Sequence, residues 1–163
     1  MTGISCRPYH GPQDLAGMTD AEARLRARLG LMRGINIAAM EHQFAHLVNC
    51  EPETDCLVAE RDGVTAGYAL VEWHDLAEGD RIYEITTVVE PAAWGLDTAD
   101  ALLAWGEARL EVIARTHPRD RRCWYAAYAY GADEESIPAL QGRGYEAVRW
   151  DAEMLRPDLA NLP

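Results

Sequence analysis

The four cysteines, Cys6, Cys50, Cys56 and Cys123, include no CxxC pair, so the sequence carries no paired-thiol motif for zinc or redox chemistry. They read as free thiols, mostly buried, in a reducing compartment. Long apolar runs are also missing. Charge or glycine interrupts every one before 18 residues, which excludes a spanning helix and a membrane partner. The start, Met1-Thr2-Gly3-Ile4-Ser5-Cys6-Arg7-Pro8, lacks a basic segment followed by an apolar one. No signal peptide is expected, and the cytoplasm is the expected location. Positive charge is scarce: 15 Lys+Arg stand against 27 Asp+Glu, for a net charge of -12. A polyphosphate backbone needs a basic stripe, and the one basic cluster is Arg119, Arg121 and Arg122 around Asp120. Nucleic acid is not an expected partner, whereas a cationic substrate such as an amine would be steered favourably.

What is present fits one globular domain. The 163 residues are 48% apolar and 26% charged, enough to bury about two thirds of the unfolded surface. Ile4 to Tyr9 reads as a first strand, ended by His10-Gly11-Pro12. Thr19 and Glu22 have the spacing of a capping box, opening a helix that stops near Gly30 to Gly34. Asn36 caps a second helix with a stripe of Ile37, Met40, Phe44, Leu47 and Val48, and Glu51-Pro52-Glu53 ends it. Asp55 to Arg61 and Thr65 to Trp73 form a hairpin through Asp62-Gly63. Tyr83 to Glu90 is a strand dense in β-branched residues, stopped by Pro91. A long helix follows from Leu96 or Asp97, with Ala101, Leu102, Trp105, Ala108, Leu110 and Ile113 on its core face. Cys123 to Tyr130 is a strand, Asp133 starts a short helix ending at Gly142 and Gly144, and Tyr145 to Leu155 is a last strand. Pro157 to Pro163 is a tail.

The order is βααβββαβαβ, an α/β (α+β) arrangement with a mixed sheet and helices on both faces. Tyr83 to Tyr130 is then a right-handed crossover between parallel strands.

Three segments resemble the GNAT acyltransferase family. Val89-Glu90-Pro91-Ala92-Ala93-Trp94-Gly95-Leu96-Asp97-Thr98-Ala99 is similar to its acyl-CoA segment, a strand ending in Val-x-Pro before an Arg/Gln-x-x-Gly-x-Gly/Ala loop. Asp133 to Tyr145 is similar to its short helix ending in Gly-Phe or Gly-Tyr. Val148 to Met154 resembles the last strand of tandem, mycothiol-synthase-like members, with Arg156 to Pro163 similar to their inter-domain linker. Residues 1-156 would then be one GNAT-like domain and 157-163 a linker-like tail. The likeness spans nearly the whole chain, with no single motif intact.

The resemblance implies acetyl-CoA as co-substrate. Amides at a helix N-terminus would hold its pyrophosphate, with Trp94, Gly95, Leu96, Asp97, Thr98 and Ala99 forming the loop. The strand around Thr87, Val88 and Val89 would pair with the pantetheine arm. Glu84 stands where some members carry a general base, although the commoner reading of such a residue is an ordinary exposed strand carboxylate. The family's leaving-group tyrosine corresponds to Leu140. Tyr128, with Tyr125 and Tyr130, is the phenol available near the diverging strands or an amphipathic core residue.

The loop departs from the pattern at Trp94 and at Asp97, and only Gly95 and Ala99 fit. A carboxylate at Asp97 would repel a phosphate charge 4 Å away by roughly 4 kcal/mol at an effective dielectric of 20. Asp97 reads equally as a helix N-cap worth ~1 kcal/mol, spending the same amides on itself.

His42, His46 and Cys50 at i, i+4 and i+8, with Cys56 near, outline a zinc face. Gln43 takes the place of the glutamate that metalloprotease chemistry needs, and no metal is expected. Two functions stand: an N-acetyltransferase for a small amine, its acceptor pocket built as the resemblance implies from the first two helices and variable loops, with Arg33 and Glu41 facing either solvent or cleft, and a degenerate half that braces a second GNAT-like domain.

Overall fold

The computed structural model describes residues 3–31 and 33–151. Strands β1 (Ile4–Pro8), β2 (Cys56–Arg61), β3 (Val64–Asp75), β4 (Arg81–Val89) and β5 (Cys123–Tyr128) form one sheet in that order. Every neighbouring pair is antiparallel except β4 and β5, which are parallel across α4 (Thr98–Ala114). Asp62 and Gly63, both left-handed at φ 53° and 78°, join β2 to β3 in the geometry of a type I′ hairpin turn.

Alternation along the strands divides the core. Cys56, Val58, Tyr68, Leu70 and Val88 face α1 (Leu15–Arg28) and α2 (Ile37–Ala45) through Met18, Leu25 and Met40. Ala69, Val71, Tyr83, Ile85 and Val89 face α4 and the short α5 (Ser136–Gly142) through Leu102, Leu103, Leu110 and Leu140. Helices therefore cover both faces of a mixed sheet.

Several local expectations change. α1 begins at Leu15, after a 3₁₀ turn over Pro12–Asp14. Thr19 and Glu22 are thus not a capping box. Both are buried in the helix, Thr19 Oγ1 donating to the Leu15 carbonyl. Glu22 accepts from Tyr68 Oη at 2.6 Å and from Arg26 at 2.7 Å, tying α1 to β3. Asn36 does cap α2, its Oδ1 accepting from Ala39 N at 3.0 Å. The helix ends at Ala45, before Leu47 and Val48, and a helical turn, α3 (Pro52–Asp55), leads into β2.

On α4, Ala101 and Ala108 are exposed, and the core face is Leu102, Leu103, Gly106 and Leu110. The reason is Gly106. A Cβ there would stand 2.9 Å from Ile85 Cγ2, so the missing side chain lets the helix settle on β4. A hydrophobic stripe does not count a glycine. Of the four cysteines only Cys56 is buried, while Cys6 and Cys123 are exposed. Residues 145–151 contain no strand, and the remainder of the expected last strand, with the tail, lies outside the described residues.

At the far end of the sheet, His117 Nδ1 bonds Tyr83 Oη at 2.8 Å and its ring packs on Trp73. Burial and then the Arg81 charge push its pKa below the ordinary 6.5, with Asp75 opposing them. The unfolded chain therefore binds this proton more readily, and stability falls as pH drops through about 6.5. Acidification also relieves repulsion within a chain of charge -12, so the comparison must be internal. Between pH 7.5 and 5.5, the melting temperature of the native chain should fall relative to that of His117→Gln.

Candidate functional site

β4 is the strand that organises the site. Its register with β5 runs from Arg81↔Cys123 to Thr86↔Tyr128 and stops there. β4 continues through Thr87, Val88 and Val89, paired on its other side with Ala69, Tyr68 and Gly67 of β3. Beyond Thr86 the two parallel strands part. The backbone edge of residues 87–89 is left without a β5 partner. Gly67 makes this end of β4 reachable by β3, since a Cβ there would lie 2.4 Å from the Val88 carbonyl oxygen.

Past Val89 the chain enters a 3₁₀ turn, Pro91–Ala93, and then the loop to α4. Trp94 folds back, its Nε1 donating to the Val89 carbonyl at 3.2 Å, and the Arg28 guanidinium lies 5.4 Å from its ring. Gly95 is left-handed at φ 73°, Leu96 is exposed, and Thr98 and Ala99 are buried. Thr98 Oγ1 donates to the Ala93 carbonyl at 3.2 Å.

Asp97 holds the position before the first helical residue, and its side chain makes no cap bond. Its backbone is left-handed at φ 56°, whereas a capping side chain reaches the first-turn amides from the β region. The expected self-capping by Asp97 is therefore not found. A different acid holds an amide of the preceding loop: the Gly95 N–H donates to Glu135 Oε2 at 3.0 Å. Glu135 lies just before α5, in a turn fixed by Asp133, whose Oδ1 accepts from Glu135 N and Ser136 N. No sequence motif marks Glu135. Forty residues separate it from Gly95, and the fold alone brings them together.

Glu84 sits on the α1/α2 face of β4, opposite Glu72 of β3. Both are half-buried. Burial first, and the facing Glu84 charge second, raise the Glu72 pKa above the ordinary carboxylate value. Facing carboxylates repel, and such a pair is tolerated at a cost unless a proton or a cation joins it. The sequence reading missed Glu72 because it did not fix the β3–β4 register.

Tyr128 is opposite Thr86 on the same face as Glu84 and is exposed. Its ring meets that of Tyr130 edge-on at 5.5 Å, with Arg26 beyond at 5.9 Å from the Tyr130 centroid. Tyr125 points to the other face, 6.1 Å from Tyr83, so the three tyrosines do not line one cleft. Leu140 is buried with Val71, Tyr83 and Ile85. Arg33 and Glu41 are exposed on the α1–α2 side. The rings of His42 and His46 stack at 4.2 Å, and no group of three metal-ligating side chains is assembled among the described residues. No helix among those residues is long and apolar enough to cross a membrane.

No family model matches this sequence, and no curated protein is similar to it at a significant level. Solved structures do match its fold. A GCN5-related N-acetyltransferase from Sphaerobacter thermophilus superposes with a TM-score of 0.75 at 17% identity, over 90% of this chain and 44% of that one. The aminoglycoside N-acetyltransferase AAC(6')-Iy, in complex with CoA, gives 0.57 at 16% identity over 97% of both chains. An acetyltransferase of the GNAT family from Streptococcus pneumoniae gives 0.62 at 15% identity, over 86% of this chain and 83% of that one. The fold is that of the GNAT acetyltransferases. The chain spans less than half the length of the Sphaerobacter protein.

Proposed function

We propose that this chain is a GNAT-type N-acetyltransferase domain that moves an acetyl group from acetyl-CoA to a small cationic amine. The observation that carries the reading is the parting of β4 from β5 after Thr86, beside the facing carboxylates Glu84 and Glu72. The backbone of residues 87–89, unpaired on its β5 side, suits a pantetheine arm once Trp94 swings aside, and an N–H there would polarise the thioester carbonyl. The carboxylate pair suits an ammonium group and a proton acceptor at once. An acceptor amine is protonated at neutral pH and attacks only after losing a proton. Glu84 takes that proton, directly or through one water, while Glu72 keeps the local charge negative. The amine then adds to the carbonyl, the tetrahedral intermediate collapses, and the C–S bond breaks. Tyr128, on the same face, is the phenol that protonates the departing thiolate. Aminoglycosides, the acceptor named for one structural neighbour, exemplify the polycationic substrates this acidic surface would attract.

The test is release of free thiol from acetyl-CoA in the presence of polyamines, aminoglycosides and simple primary amines. Turnover should fall roughly 100-fold in Glu84→Gln, the usual scale for a lost general base. With Glu72→Gln, KM for a cationic amine should rise, because one of the two facing carboxylates no longer carries charge. Absence of thiol release with every amine, at acetyl-CoA concentrations that saturate binding, would sink the enzymatic reading.

A second reading rests on Trp94 and Glu135. The indole covers the Val89 carbonyl and the carboxylate takes the Gly95 amide, both where the resemblance places the co-substrate. In that case the chain is a degenerate half that braces a second GNAT-like domain, and acetyl-CoA does not bind it. Calorimetric titration of the native chain with acetyl-CoA separates the two.

A further inference from the structure

The end of the sheet remote from Gly95 carries another cleft, about 320 Å³ in volume. The last turn of α4, the loop after it and the first residues of β5 line it, and it opens to solvent. Tyr83, in its wall, faces α4, whereas Glu84 and Tyr128 lie on the α1/α2 face, so the sheet stands between this cleft and the proposed reacting groups. It is therefore separate from the acyl-transfer site.

Its charge runs against that of the whole molecule. All 15 basic residues of this chain are arginine, and Arg115, Arg119, Arg121 and Arg122 cluster here in a protein of net charge -12. Three of the four are engaged. Arg115 pairs with Glu111, Arg121 pairs with Asp75 and Asp120, and Arg122 lies 5.3 Å from the Trp124 ring. Arg119 lines the cleft and has no acidic partner among the described residues. Compensation of the α4 dipole accounts for Arg115 at the helix end, and does not reach Arg119 beyond the last turn.

The rest of the lining is mostly flat or apolar, with Tyr83, Trp124, Tyr125, Ala114, Pro118 and Cys123, and its one acid, Glu111, is already paired with Arg115. A cleft of this size, aromatic in its walls and bearing one unpaired cation, has the build of a small-ligand site.

We propose that this cleft binds a small aromatic anion, its ring against Tyr125 and Pro118 and its carboxylate or sulfonate on Arg119. Acyl transfer plays no part in the assignment.

Two fluorescent probes of matched shape test it on the full chain: 1-anilinonaphthalene-8-sulfonate and its uncharged analogue N-phenyl-1-naphthylamine. The sulfonate should bind with one-to-one saturation and be displaced by benzoate but not by benzyl alcohol. Arg119→Ala should weaken the sulfonate about tenfold, the scale of a charge-assisted hydrogen bond, and leave the neutral probe unchanged. Arg119 is exposed, so the variant's melting temperature should match that of the native chain. Tyr125→Ala should weaken both probes. Equal binding of the two probes, or a sulfonate affinity indifferent to Arg119→Ala, would overturn the assignment, because generic apolar surface would then explain the signal.

Discussion

Glu135→Gln is expected to tighten acetyl-CoA binding about tenfold, read by calorimetric titration against the native chain. The Glu135 carboxylate accepts the Gly95 N–H at 3.0 Å, where the resemblance puts a pyrophosphate oxygen. A co-substrate must displace that carboxylate or settle beside it. Two like charges 4 Å apart repel by roughly 4 kcal/mol at an effective dielectric of 20. Glu135 is half-exposed, and solvent screening brings the cost down to about 1.4 kcal/mol, a factor of ten. Glutamine keeps the length and the hydrogen-bonding oxygen and removes only the charge. An unchanged affinity would mean that Glu135 swings away freely and that Trp94 or Asp97 governs the loop. Micromolar binding already present in the native chain would retire the degenerate reading.

Gly67→Ala should lower unfolding stability by about 3 kcal/mol, near the top of the usual range for overpacking. The added Cβ would fall 2.4 Å from the Val88 carbonyl oxygen and 3.2 Å from Val89 Cα. Both obstacles are backbone, so no side chain can rotate aside. β3 and β4 must separate where β4 is about to lose β5 as a partner. The displaced segment is residues 87–89, which the proposed mechanism assigns to the thioester. Urea unfolding gives the stability, and thiol release gives the activity. A midpoint shift of less than about 1 kcal/mol equivalent would show that β4 yields easily there.

Much of the fold was legible because its signals are local. Asp62-Gly63 specifies a left-handed pair and thus the β2–β3 hairpin. Asn36 caps α2 through its own side chain, and the Ile85–Val89 run makes a strand on propensity. The errors arose where a local pattern competes with a distant contact. Thr19 and Glu22 have a capping box's spacing, but Tyr68 and Arg26 claim Glu22 inside a longer helix. Ala101 and Ala108 sit at reasonable core spacing, but Gly106 against Ile85 turns α4 toward Leu103 instead.

The site divides along the same line. The sequence by itself determined the acidic balance, the strand and the helix that bracket the loop, and the substitution of Trp94 and Asp97 into it. Tertiary structure alone decided that Glu72 faces Glu84, that β5 leaves β4 after Thr86, and that Glu135 rather than Asp97 holds a loop amide. Local conformation follows from neighbouring residues and their steric preferences. Register, strand divergence and a carboxylate arriving from forty residues away depend on how separate elements pack, which no short window of sequence contains.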